Sequence, residues 1–266
     1  MLIIGEKINT TRKSMHEAVI ARDSEAVQRE ARIQVEAGAH LLDVNCGSLT
    51  AEEEPEALAW MVQTVQAVTD MSLCIDSPNP AALVAALAAH RGRPMINSIS
   101  GETVRYEAVI PLVKQYQAQV VVLGMDDRGI PKDSAQALEV GIALMERLTD
   151  DLVPREDIYF DPLVRSLATN PESIAESLEL MRELGSRFPG MHFVSGLSNV
   201  SYGLPERRHV NRAFVVLSIA YGLDAVIMDP LDSTMGALIY ATEALMNKDR
   251  FCMRYIKAFQ DGRLAS

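Results

Sequence analysis

Cysteine is scarce in this sequence. Cys46, Cys74 and Cys252 are the whole complement, far apart and without a Cys-x-x-Cys. That excludes a disulfide framework and a paired-cysteine zinc site, and fits a reducing compartment. Positive charge is short as well: the formal net charge is −11 over 266 residues. A surface of that sign argues against nucleic acid and anionic membranes as partners. No apolar run approaches the roughly 18 residues of a membrane span. The opening "MLIIGEKIN" turns polar too soon for a secretory leader. These absences predict a soluble cytoplasmic protein, with no membrane and no nucleic acid among its partners. Also missing are the Gly-x-Gly-x-x-Gly and Gly-x4-Gly-Lys-Ser/Thr phosphate loops, the Gly-x-Ser-x-Gly elbow of hydrolases and the His-Glu-x-x-His of zinc proteases. The five histidines show no ligand spacing, and His209 alone falls in a loop expected on an active face.

What is present is a regular alternation. Short apolar runs ("LIIGEKI", "HLLDVNCG", "SLCIDS", "PMINSIS", "AQVVVLGMD", "DIYFDP", "MHFVSG", "DAVIMDP") are each followed by a longer stretch with helical periodicity. Asn79 and Pro80 stand as cap and first residue of one helix, Pro171 at the start of another, and Pro111 is expected to kink or break a third. Eight strand signals, each followed by a helix signal, suggest parallel β/α units, and the length suits closure as a single (β/α)8 TIM barrel over residues 1–266, with a tail helix at about 250–261. No linker or composition break divides the chain.

In such a barrel the chemistry lies at the carboxyl ends of the strands. Those ends carry Glu6, Lys7 and Asn9; Asp43 and Asn45; Asp76; Asn97 and Ser98; Met125 and Asp126; Asp161; Ser195, Ser198 and Asn199; and Asp229. Any single Asp or Asn there is as readily a cap or a turn residue. Recurrence around the ring is the signal. Carboxylates and amides without histidine suit a small heteroaromatic ligand rich in N–H donors better than a metal, so no metal is expected.

The ordered set "IGEKIN", "LLDVN", "CIDS", "MINSIS", "GIPKDS", "YFDPL" and "GLSNVS" resembles the pterin-binding methyltetrahydrofolate:corrinoid-protein methyltransferases from Leu2 to about Met246. The resemblance implies that Asp76, Asn97 and Asp161 hydrogen-bond a pterin ring, that Asn199 is the catalytic amide at N5, and that Ser198 and Arg207 contact the folate. Arg207 and Arg208 are candidates for the folate glutamate tail or an acidic partner surface, with Lys132 a further cation at the rim and Tyr202 a ring that packs on a ligand. The substrate implied is tetrahydrofolate or 5-methyltetrahydrofolate. The cobalamin, or another corrinoid, would be carried by a partner protein, since the corrinoid-binding Asp-x-His-x-x-Gly string is absent. A homodimer is implied in the same way. Two alternatives stand beside it: a dihydropteroate-synthase-like pterin enzyme, disfavoured because the loop after the seventh strand reads "GLSNVS" rather than "SRK", and a non-catalytic pterin-binding subunit.

Overall fold

Runs such as "QVVVL" are apolar at consecutive positions, as a strand buried on both faces requires. In the computed structural model, which describes residues 1–264, eight such strands close on themselves in chain order as an all-parallel barrel. They are β1 (Leu2–Asn9), β2 (Leu41–Asn45), β3 (Leu73–Asp76), β4 (Met95–Gly101), β5 (Gln119–Asp126), β6 (Ile158–Asp161), β7 (His192–Gly196) and β8 (Ala225–Met228). The barrel closes where β1 pairs with β8, Leu2 to Ala225 through Gly5 to Met228.

The strands are wrapped by α1 (Lys13–Ile20), α2 (Ser24–Glu36), α3 (Glu54–Gln66), α4 (Pro80–Ala89), α5 (Thr103–Tyr116), α6 (Ser134–Asp150), α7 (Ser173–Arg187), α8 (Arg207–Ala220) and α9 (Ser233–Leu245), followed by α10 (Met253–Gln260). One cap is the one expected, and three more follow the same rule. The Asn79 side chain accepts from Ala81 N at 3.0 Å, with Pro80 in the first turn of α4. Asp23, Asp133 and Asp232 cap α2, α6 and α9 in the same manner.

Four local expectations are revised. Pro111 does not break α5, which runs continuously from Thr103 to Tyr116. The proline is on the exposed face, as is Glu107, whose carbonyl loses its intrahelical donor and is left to water. Pro171 precedes α7 by two residues, in a turn closed by Ser173 N donating to Asn170 O at 3.2 Å. The tail is divided: a 3-10 turn over Arg250–Cys252, with Phe251 and Cys252 at positive φ, leads into α10. The Asp249 carboxylate accepts from Arg254 N and Tyr255 N at 3.0 and 2.9 Å and thereby starts α10. Finally, α1 is an unanticipated short helix, held by burial of Met15, Ala18 and Val19 at helical spacing.

Two apolar layers hold the fold. The larger lies between strands and helices. The smaller consists of Ile4, Leu41, Cys74, Met95, Val121, Tyr159, Val194 and Ala225, one from every strand, and fills the barrel interior. Strand side chains alternate with a period of two, so the next inward residue on each strand is two positions on. Those residues are Glu6, Asp43, Asp76, Asn97, Leu123, Asp161, Gly196 and Ile227. One step along the strands, an apolar plug becomes a mostly acidic and amide floor.

Candidate functional site

Above that floor is an open cavity of about 500 Å³. Its wall includes Glu6, Asp43, Asp76, Asn97, Gly196 and Ile227 from the inward layer. The β1–α1 segment adds Lys7, Asn9, Thr11 and Arg12, and the β7–α8 side adds Ser198, Asn199 and Arg207. A larger hollow of about 660 Å³ lies at the opposite strand ends, but its charges are already spent: Arg93 pairs with Asp157 and Lys114 with Asp151.

Each wall residue is placed by a local cause. Gly5 lets α2 approach β1, since a Cβ there would lie 2.5 Å from Gln34 Oε1. That oxygen accepts from Lys7 N at 3.1 Å, replacing a ladder bond where the β1–β2 register shifts between Gly5 and Ile8. The bulge re-aims the strand end, and Lys7 Nζ meets Asp229 at 2.7 Å. On β2, Asn45 Oδ1 accepts from Gly47 N at 2.8 Å, which turns its Nδ2 onto Asp76 Oδ2 at 2.7 Å.

Arg105, in the first turns of α5, ties the next two strand ends together. Its Nε donates to Ser98 O at 2.8 Å, Nη1 to Pro78 O at 2.7 Å and Nη2 to Ser77 O at 2.8 Å. The guanidinium thus bridges the residues that directly follow Asp76 and Asn97. Nothing in the sequence marks this arginine, because its partners are backbone carbonyls.

The loop after β7 is held from two sides. Arg207 donates from Nη2 to Ser198 O at 2.6 Å and from Nε to Ser201 Oγ at 3.0 Å. From the β6–α7 segment, Leu167 N donates to Val200 O at 2.9 Å and Ser166 Oγ to Tyr202 O at 2.6 Å. Without a side chain at Gly196, a built Cβ would stand 3.4 Å from Asn199 Nδ2, so the amide folds back over the end of β7. The basic cluster "ERRHVNR" therefore does local work: Arg207 braces the loop and lines the cavity, and Arg212 pairs with Asp232 at 2.8 Å.

The electrostatics follow from burial. Desolvation pushes Asp76 up to about 6, against the opposing effects of the Asn45 hydrogen bond and Arg105. Asp43 is held well above the carboxylate range, first by burial and then by the charge of Asp76. Its Oδ1 has no hydrogen-bond partner among the described residues. Desolvation, reinforced by Asp229, raises Glu6 to about 6, with Lys7, Arg12 and Arg207 opposing.

Of the residues singled out from sequence, Asp76, Asn97, Ser198, Asn199 and Arg207 meet in one cavity. Asp161 belongs to the same inward layer but not to that wall; its Oδ1 accepts from Leu163 N at 2.8 Å, and burial raises it to about 6. Lys132, Arg208 and Tyr202 are exposed and outside the wall. Asp126 is engaged by Arg128 at 2.8 Å. Thr11, Arg12 and Arg105 carry no motif that would have found them. Glu6, Lys7, Asn9 and Asp43 were visible as strand-end polar residues.

The profile of the family described as "Pterin binding enzyme" matches residues 5–229, which takes in β1 from Gly5 onward, the other seven strands and the whole cavity wall. The chain belongs to this pterin-binding enzyme family. A methylcorrinoid:tetrahydrofolate methyltransferase of Eubacterium limosum is 35% identical to this pterin-binding barrel over 269 residues, covering 99% of this chain and 98% of that protein. Methionine synthase of Mycobacterium tuberculosis (strain ATCC 25618 / H37Rv) is 31% identical over 241 residues, 86% of this chain but 20% of the synthase. Among solved structures, dihydropteroate synthase from Xanthomonas albilineans in complex with 7,8-dihydropteroate superposes with a TM-score of 0.67 at 24% identity, covering 92% of each chain. That likeness concerns the fold alone.

Proposed function

We propose that this barrel is a methyltransferase that exchanges a methyl group between N5 of tetrahydrofolate and the cobalt of a corrinoid carried by a separate protein. The name of the Eubacterium limosum relative runs from methylcorrinoid to tetrahydrofolate, and we assign the same direction here. The observation that carries the reading is the position of Asn199 in the wall of a cavity whose floor is Asp76 and Asn97.

In this reading Asp76 and Asn97 take the donors and acceptors of the pterin ring. An ionised carboxylate fixed by Asn45 accepts paired N–H groups, and an amide serves both senses of hydrogen bond. Asp161 joins them from the same inward layer. Asn199 stands at N5: its carbonyl accepts from N5–H of tetrahydrofolate, and its NH2 donates to the N5 lone pair of the methylated form. An amide thus orients the nitrogen for in-line attack and favours charge development there without itself ionising. Ser198 and Arg207 flank it, with Arg207 also available to the folate's carboxylates. The corrinoid supplies the methyl group, and the open mouth of the cavity admits it on its carrier protein.

Asn199→Ala tests the assignment. The expected result is a fall in kcat of about 10²–10³, as for loss of one transition-state hydrogen bond, with folate affinity largely kept. An unchanged kcat would remove Asn199 from the chemistry.

We further propose that the chain works as one domain, in the cytoplasm, and as a homodimer. The three cysteines are free, which suits a reducing compartment. Phe251, Met253, Ile256 and Phe259 expose an apolar face along the tail helix, and sedimentation of Phe251→Glu/Phe259→Glu should shift a dimer to monomer.

A further inference from the structure

Asp76 and Asn97 can serve one planar ring only if two neighbouring strands hold them at a fixed spacing. β3 ends at Asp76, whose partner across the ladder is Asn97. On the other side of β4 the register shifts at the same level: Asn97 pairs with Val121 and Ile99 with Val122, which leaves Ser98 as the extra residue. Regular pairing is therefore interrupted immediately after both residues. The carbonyls of Ser77, Pro78 and Ser98 are all taken there by one side chain, with Arg105 Nη2 shared between Ser77 and Ser98. The donors of this half-buried guanidinium go to backbone oxygens of two loops, a span that its planar fork can cover. The helix that carries it is anchored in turn. Asp127, from the segment after β5, accepts from Thr103 N at 3.0 Å and from Thr103 Oγ at 2.6 Å at the start of α5.

Arg105 is not part of the cavity wall, so its effect on a ligand must pass through the residues it holds. Resting on the assignment of Asp76 and Asn97 to the pterin ring, we propose that Arg105 is the positioning residue that sets their mutual spacing and keeps Asp76 ready to accept N–H groups. Among the charged groups that act on Asp76, Asp43 from β2 and Glu54 from α3 are acids, and Arg105 from α5 is the cation that opposes them. The Cys74 thiol, on β3 itself, is kept neutral by burial. The contacts of Arg105 stop at the ends of β3 and β4, whereas the loop that bears Asn199 is braced by Arg207. Arg105 therefore belongs to ring binding and not to events at N5.

The test is calorimetric titration of tetrahydrofolate into the unsubstituted protein, Arg105→Met and Arg105→Lys from pH 5 to 8. Thermal melting, and kcat with free methylcob(III)alamin at saturating tetrahydrofolate, are measured alongside. Arg105→Met should weaken Kd at pH 7.5 by at least about tenfold, as for loss of one hydrogen bond to a charged group, while kcat at saturation falls by less than about threefold. The pH at which affinity falls, about 6 in the unsubstituted protein, should move upward because the opposing cation is gone. Arg105→Lys keeps the charge without the fork, so it should leave that pH in place and recover only part of the affinity. It also decides the matter if Arg105→Met does not fold. An unchanged Kd in either folded variant overturns the proposal. So does an Arg105→Met protein whose affinity falls with no movement of the pH midpoint, or whose kcat falls as far as its affinity. An unsubstituted protein that does not bind tetrahydrofolate overturns the ring assignment together with this proposal.

Discussion

At the scale of single residues, the site turns on carboxyl groups that burial makes reluctant to ionise. Asp76 is raised to about 6, first by desolvation. A pterin N–H pair needs the ionised form. Folate affinity is therefore expected to be full above about pH 6 and to fall as pH drops through it. Asp76→Asn should lower affinity at pH 7.5 by about 10- to 100-fold, in line with about 1.5–3 kcal/mol for a charged hydrogen bond, and flatten the dependence. Titration calorimetry between pH 5 and 8 measures both, and a pH-independent Kd in the unsubstituted protein would contradict the role given to Asp76. Much of this was legible beforehand. Asp76, Asn97 and Asn199 lie in strings that could be read in order; strand alternation accounts for why Asp76 and Asn97 point inward, whereas Asn199 is brought in by the loop after β7. Arg105 was not legible, because a side chain that satisfies carbonyls across two loops leaves no spacing rule. Nor was the hydrogen bond by which Leu163 N engages the Asp161 carboxylate.

At the scale of elements, the decisive feature is the bulge in β1. Gly5 is needed because Gln34 of α2 comes within the space of a Cβ and substitutes for the strand ladder at Lys7. Gly5→Ala is expected to push Gln34 aside and cost about 1–3 kcal/mol, as overpacking of a buried contact does. The readout is denaturant unfolding, with a secondary loss of activity because Lys7 and Glu6 follow directly on the same strand. A variant as stable as the parent would show that the bulge does not depend on this contact. The sequence shows the strand and its glycine plainly, whereas a bulge depends on which atom of a distant helix answers the unpaired N–H. The course of α5 illustrates the opposite case. Pro111 reads as a break by local rules, yet placement on the solvent face lets the helix continue.

At the scale of the whole molecule, an acidic floor sits on an apolar plug, so binding and stability are opposed. Glu6, Asp76 and Asp161 are each raised to about 6, chiefly by desolvation, and hydrogen bonding to Asp224 raises His192. Groups whose pKa is raised on folding contribute stability that is complete below their unfolded values and lost as pH rises through the folded ones. Burial lowers His40 and His90, which act the other way, but the three buried carboxyls and His192 outweigh them, so the ligand-free barrel should melt at a higher temperature at pH 5 than at pH 8. Asp76→Asn/Asp161→Asn should gain about 3–10 °C at pH 8 and lose folate binding, a trade of stability for function of the usual kind. A double variant that melts no higher than its parent at pH 8 would mean these carboxyls are not strained by burial. Barrel closure itself was open to inference from eight alternating units. The division of the interior into plug and floor emerges when all strands are seen in register.

The claim on which the rest depends is that this barrel moves a methyl group between a corrinoid and N5 of tetrahydrofolate. The most direct measurement is mass spectrometry of the folate after incubating the protein with tetrahydrofolate and CD3-labelled methylcob(III)alamin. The account expects 5-(trideuteromethyl)tetrahydrofolate in amounts that grow with enzyme concentration and collapse with Asn199→Ala. Tight folate binding with no labelled product, using either the free corrinoid or one mounted on its carrier protein, would contradict it and leave a pterin-binding barrel without this chemistry.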